Sequence, residues 1–176
     1  MNKQAILPMP EYYDRYIALA PDQELAAAFQ QSLQTINTLD MPLLETYGNY
    51  SYAPGKWSVK TMFQHVTDTE RIFTYRALVF SRNDDTPLPP FDENEYAANS
   101  HADERPLTDI MAELKLVRQS TIALFNSFTD GMLLTSGNNY KINMSVLAMG
   151  YTIIGHQQHH LNILKERYLP AATYLT

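Results

Sequence analysis

Three histidines have the residue type and spacing to do chemistry. His156 and His160 stand four residues apart in Gly155-His156-Gln157-Gln158-His159-His160, and His65 lies in Phe63-Gln64-His65-Val66-Thr67-Asp68. On a helix, positions i and i+4 project from one face about one turn apart. Two imidazoles so placed can grip one divalent ion, and a third from another helix completes a three-nitrogen set. Such a set leaves metal positions open to water or substrate, which separates a catalytic site from a closed structural one. The chain has no cysteine. Disulfides, thiolate ligands and a cysteine nucleophile are thereby excluded, and a tight metal site must use His, Asp or Glu.

Four long segments with helical periodicity must position these residues, with Pro, Gly and Asn collected between them. The first runs from a cap at Asp22 to about Leu39, with Leu25, Ala28, Phe29, Leu33, Ile36 and Leu39 on one stripe. A short helix over Pro10 to Ala20 precedes it. Ser58 caps the second, which carries Met62, Phe63, Val66, Phe73, Ala77 and Phe80 and ends near Arg82. The third starts at Pro106, a favourable first-turn residue, and Gly131 stops it. The fourth starts around Asn143 to Ser145 and runs to Tyr168, with Pro170 beyond. No strand pattern of comparable length and no internal repeat appears. The pattern predicts an all-α four-helix bundle forming a single domain over residues 1–176. Connections over about 40–57 and 83–105 are long. The second is Pro-rich and can cross the bundle end to end, so the second and third helices need not be antiparallel neighbours. Loops of this length often wall a functional pocket.

Composition narrows the partners. A hydrophobic fraction of 45%, a charged fraction of 18% and a net charge of −6 describe a globular acidic chain. There is no run of Lys or Arg to meet phosphates, so nucleic acid is not expected as a partner. No 18-residue apolar run exists to span a membrane, and the N-terminal residues have no secretory pattern. A cytoplasmic protein acting on a small molecule is expected.

The histidines fit these helices in a particular way. Val146, Met149, Ile153, His156, His160 and Ile163 follow one inward stripe of the fourth helix. Imidazoles facing a core need partners, because an unsatisfied buried polar group costs about 1–3 kcal/mol. His65 sits at the edge of the apolar face of its helix, roughly 10 Å past Ser58. If the second and fourth helices are antiparallel, that level matches about residue 161, beside His160 and one turn from His156. An up-down-down-up order with a long crossover between the second and third helices provides this arrangement. His159 is the rival ligand, by i, i+3 chelation with His156. His101 reads as a solvated turn residue. Asp68 could orient an imidazole or accept a proton, though an ion pair with Arg71 or Arg76 is as good a reading. Glu70 points away from His65 toward another helix. Trp57 is expected to fix the approach to the second helix, without contacting a ligand.

The same residues resemble the DinB-like/YfiT-like superfamily of bacterial metal-binding four-helix proteins. The resemblance is carried by Ala53-Pro54-Gly55-Lys56-Trp57-Ser58-Val59-Lys60, then His65-Val66-Thr67-Asp68-Thr69-Glu70-Arg71, Tyr75-Arg76-Ala77-Leu78, Thr86-Pro87-Leu88-Pro89 and Phe91-Asp92. It continues in Ser145-Val146, Gly155-His156-Gln157-Gln158-His159-His160-Leu161 and Lys165-Glu166-Arg167-Tyr168-Leu169. It covers nearly the whole chain, from about residue 10 to 170. It implies the up-down-down-up bundle, a divalent metal on His65, His156 and His160, and a homodimer. Related families include S-transferases using bacillithiol, mycothiol or glutathione, and an isomerase of maleylpyruvate.

The expected function is that of a metal-dependent enzyme, foremost a thiol-dependent S-transferase. Zinc, nickel, iron or manganese all suit three nitrogens, and the thiol must come from a low-molecular-weight cofactor. The alternatives are a metal-dependent hydrolase with metal-activated water as nucleophile and Asp68 as candidate base, or a non-catalytic metal- or ligand-binding module of a stress response.

Overall fold

The structure is a computed structural model that describes residues 1–169; Pro170, expected just beyond the last helix, lies outside the described residues. Four long helices form the bundle: α2 (Leu25–Asn37), α4 (Val59–Ser81), α6 (Leu107–Asn126) and α8 (Val146–Ile163). Shorter helices lie between and before them: α1 (Asp14–Ile17), α3 (Met41–Thr46), α5 (Glu93–Asn99) and α7 (Asp130–Leu134). A hairpin of β1 (Ser136–Asn139) and β2 (Ile142–Ser145) precedes α8, paired antiparallel with Ser136 opposite Ser145 and Asn139 opposite Ile142.

The local chemistry of the helix starts explains two boundaries. Ser58 is extended, and its Oγ accepts the Thr61 N–H at 3.0 Å, so α4 begins where the capping pattern predicts. Ser145 does the same for α8 through the Ala148 N–H at 3.1 Å. The last turn of the α8 segment, Leu164–Tyr168, is π-helical.

Other boundaries differ from the sequence expectation. Asp22 does not cap α2; its carboxylate accepts from Gln4 Nε2 at 2.8 Å, and the helix starts at Leu25. Only Asp14–Ile17 of the Pro10–Ala20 stretch is helical, because Tyr12 stands at φ 69° and breaks the run. The third helix ends at Asn126, and Gly131 falls inside α7 instead of stopping it.

Side-chain partners fix the helix directions. The start of α4 (Val59, Met62, Phe63) shares a core with Leu161 and Leu164 at the end of the α8 segment. The end of α4 (Phe73, Ala77, Phe80) shares another with Val146 and Leu147 at the start of α8, so the two helices are antiparallel. Helices α4 and α6 run parallel: Arg71 meets Glu113 at 2.5 Å and Thr74 meets Thr121 at 3.1 Å. At one end of α2, Phe29 packs on Phe125 with ring centroids 5.1 Å apart. At the other, Ile36 joins Ile110 and Met111, which makes α2 antiparallel to α6. The order is up-down-down-up. The segment between α4 and α6 returns along α4, from Pro89, whose carbonyl accepts from Arg76, to Asp103, which meets Ser58 at the helix start.

The two hydrophobic cores are separated at mid-height by a polar layer. Phe29 and Ile36 flank Ser32 on α2, Val66 and Phe73 flank Thr69 and Glu70 on α4, and Leu114 and Ile122 flank Arg118 on α6. On α8, Ile154 and Leu161 flank His156, Gln157 and His160. Polar groups at this depth persist only with partners, and the layer is where the histidines meet.

A candidate metal centre in the polar layer

His65, His156 and His160 converge through their Nε2 atoms. The nitrogen of His156 is 3.2 Å from that of His65 and 3.1 Å from that of His160, and ligand atoms of all three lie within 4.8 Å of one another. The ring of His65 stands 5.0 Å from both partners, between their levels, instead of beside His160 alone. Each residue is buried, at 8 or 9% exposure.

Hydrogen bonding alone does not satisfy this cluster. Each neutral imidazole nitrogen offers either one proton or one lone pair, so the central His156 Nε2 makes one good bond, not two. A divalent ion accepts all three lone pairs. At Zn–N lengths of about 2.0–2.1 Å and tetrahedral angles, two ligand nitrogens lie roughly 3.4 Å apart. The two short separations are close to that, and the donor set therefore fits a divalent metal.

The electrostatics favour the ligand form of the rings. Burial, with help from His159, lowers the pKa of His65 to about 4. Burial first, and the neighbouring histidines second, hold His156 and His160 well below the usual histidine value. All three are neutral at physiological pH, with lone pairs available.

The cluster forms the floor of a cavity of about 280 Å³. The aromatic ring of Trp57 lies 4.7 Å from that of His65, so Trp57 walls the site in addition to leading into α4. Pro90, Phe91 and Glu93, from the long second connection, line the same cavity, as that connection's length implied. Tyr16 of α1 stands edge-on to His156 at 5.4 Å and to His159 at 5.3 Å. His159 lines the cavity beside Tyr16 but is outside the converging set. His101 is exposed with φ 52°, and its Nδ1 stands 3.1 Å from Glu104.

Both carboxylates follow the ion-pair reading of the sequence. Asp68 accepts from Gln64 at 2.9 Å and stands 3.7 Å from Arg71, and it is not among the residues that line the cavity of the histidines. Burial raises its pKa. Glu70 crosses to α6, where Arg118 Nε and Nη2 donate to its two oxygens at 2.8 and 2.9 Å. Arg118 also donates to Ser32 Oγ, whose own proton goes to the Phe29 carbonyl at 2.7 Å. Gln157, next to His156, donates to the Ser32 carbonyl at 3.0 Å. This network pins α2, α4, α6 and α8 together beside the histidines.

Sequence reasoning gave no cavity role to Arg76, Tyr13, Tyr16 and Tyr140, all of which line the cavity; Arg76, expected as an ion-pair partner, bonds Asn139 and the Pro89 carbonyl instead. The tyrosines come from α1 and the residue that precedes it, and from the hairpin turn, where no periodicity marks an inward face. For Arg76 a signal existed: it stands eleven residues after His65, a spacing that returns to the same helix face.

The molecule is thus a helical bundle of this order whose three converging histidines, under an open cavity, form a donor set that fits a divalent ion. The family model of the DinB superfamily matches residues 9–164, and the chain belongs to that superfamily. Among solved structures, it is similar to YfiT from Bacillus subtilis at 16% identity and a TM-score of 0.65, over 86% of this chain and 82% of that one. YfiT is described as "a probable metal-dependent hydrolase with an unusual four-helix bundle topology". No curated protein matches the chain.

Proposed function

We propose that this protein is a divalent-metal-dependent enzyme in which His65, His156 and His160 hold the ion, and that it transfers a low-molecular-weight thiol to a small electrophile. The convergence of three neutral Nε2 atoms at the floor of the cavity carries this reading. A divalent ion held there supplies Lewis acidity and stabilises a thiolate at neutral pH. The chain has no cysteine, so the thiol arrives as a cofactor.

The surrounding residues support thiol transfer over base-assisted hydrolysis. Of the carboxylates near the histidines, Glu70 is engaged by Arg118 and Asp68 by Gln64 and Arg71. A thiol made acidic by a metal needs no carboxylate base. The rings of Trp57, Tyr16 and Phe73 line the cavity and offer an apolar wall against which an electrophile can pack. Hydrolysis is the second reading, favoured by the description of YfiT. The net charge of −6 supports a small-molecule substrate and no nucleic-acid partner. Among the described residues no helix is long and apolar enough to cross a membrane. A cytoplasmic homodimer completes the proposal, and light scattering of the purified protein tests the dimer.

The test is to load the protein with zinc, nickel, iron or manganese and supply bacillithiol, mycothiol or glutathione with an electrophile. Metal-dependent loss of free thiol is expected. Ester or amide turnover without thiol would favour the second reading, and ligand binding without any turnover would leave a binding module.

A further inference from the structure

The cavity has a second pole. Arg76 lines it and is buried at 5% exposure, yet it forms no ion pair with a carboxylate among the described residues. Its Nη1 donates to Asn139 Oδ1 at 2.5 Å and its Nη2 to the Pro89 carbonyl at 2.8 Å. Both acceptors are uncharged, and they occupy two of the five guanidinium N–H groups. Phe73 and Phe91 each place a ring centroid 5.8 Å from the guanidinium carbon. Their quadrupoles help to hold the cation there but do not neutralise it. The other acidic residues of the cavity do not do so either: Glu70 is held by Arg118, and Glu93 is exposed. A buried cation without a counter-charge is costly, and burial accordingly lowers the pKa of Arg76.

Position relates Arg76 to the histidines. Eleven residues of α-helix turn through three revolutions plus about 20°, so His65 and Arg76 share one face of α4 roughly 16 Å apart at the backbone. Long side chains on a helix lean toward its N-terminus, which brings the guanidinium to on the order of 10 Å from the imidazoles. We propose that Arg76 recognises a carboxylate, and that the cavity takes an elongated organic monocarboxylate whose other end lies at His65, His156 and His160. A single uncompensated positive charge matches a single negative one; the planar fork, with three N–H groups left, suits a carboxylate. Asn139, on the hairpin, is a positioning residue: its uncharged amide holds the guanidinium without cancelling its charge. The assignment of the far end rests on the metal-centre reading, whereas the recognition by Arg76 does not.

Trp57 is the only tryptophan and lines the cavity, so its fluorescence reports occupancy. The probes are 4-phenylbutyrate and its uncharged amide, titrated into metal-stripped protein and again into zinc-loaded protein. In stripped wild-type protein the carboxylate is expected to bind saturably and about tenfold or more tighter than the amide. Arg76→Gln should erase that preference. Asn139→Asp, which keeps the guanidinium and its packing but pairs it internally, should erase it too, so misfolding of one variant cannot decide the outcome. Equal binding of the two probes, no saturable binding of the carboxylate, or a preference that survives both substitutions overturns the proposal. So does a preference seen only with zinc present, since the carboxylate would then be a metal ligand. Failure of the stripped protein to take up zinc, with the Arg76-dependent preference intact, would count against the metal centre alone.

Discussion

Gly155 of α8 lies so close beneath the backbone carbonyl of Tyr16 that a Cβ on it would overlap the carbonyl carbon and oxygen. That approach sets the Tyr16 ring against His156 and His159. Alanine in mid-helix is ordinarily favoured over glycine by about 1 kcal/mol. At this position the obstacle is backbone, which moves only if the whole α1 segment shifts. Gly155→Ala is expected to destabilise the protein by about 1–3 kcal/mol or more. Gly150→Ala should cost less, since its Cβ would meet the side chains of Phe125 and Leu25, which can adjust. Urea unfolding of the two variants tests the ordering; a Gly155→Ala protein as stable as wild type contradicts it.

Glu70 and Arg118 are 1% and 0% exposed and bonded through two contacts. Removing one partner strands a buried charge, so Glu70→Gln or Arg118→Met should each cost about 3–5 kcal/mol. The double variant Glu70→Gln/Arg118→Met should lose clearly less than the sum. A double-mutant cycle by denaturant unfolding measures the coupling, and strictly additive losses would show that the pair does not act as a unit.

The imidazoles make the metal-free protein acid-sensitive. Their pKa values are depressed in the folded state, to about 4 for His65 and well below the ordinary value for His156 and His160. The unfolded chain, titrating near 6.5, binds more protons below that pH, so folded stability rises with pH. It is fully present above about pH 6.5 and is lost as the pH falls toward and through 4, by up to roughly 1.4 kcal/mol per pH unit for each histidine. Unfolding of chelator-treated protein between pH 8 and 4 should show this slope, and His65→Gln should reduce it. A flat profile across that window would contradict the burial-driven shifts.

Trp57 supplies a spectroscopic check on place. Its ring is 4.7 Å from His65. Nickel or another paramagnetic ion bound at the histidines should strongly quench its emission, whereas zinc should change it little. Nickel binding without quenching would locate the ion elsewhere.

Much of this molecule was legible in its sequence, for identifiable reasons. Helices α4 and α8 have a serine cap and a long run of inward residues, so both boundaries and the facing of His65, His156 and His160 could be read. Their antiparallel relation was one of two arrangements open to the sequence, and the length of the second connection allowed it. The hairpin was not legible. Its turn places Tyr140 at φ 42° and Lys141 at φ 70°, a primed turn that usually announces itself with Asn-Gly or Asp-Gly. Without that signal, the site of Asn139 against Arg76 was invisible. The pairing of Asp68 with Arg71, three residues on along α4, was legible as one of two readings, whereas the wall that Trp57 adds to the cavity was not, because spacing along one helix says nothing about a residue contributed by the preceding loop. Tyr16 reaches the site only because Gly155 admits its backbone, a relation between segments far apart in the chain.

The most direct measurement is the metal content and zinc affinity of purified protein, beside His65→Ala, His156→Ala and His160→Ala variants verified as folded by circular dichroism. One divalent ion per chain is expected in the wild type, with each single variant losing at least about tenfold in affinity. His159→Ala and His101→Ala should retain it. Full occupancy with unchanged affinity in His156→Ala or His160→Ala would contradict the three-histidine centre.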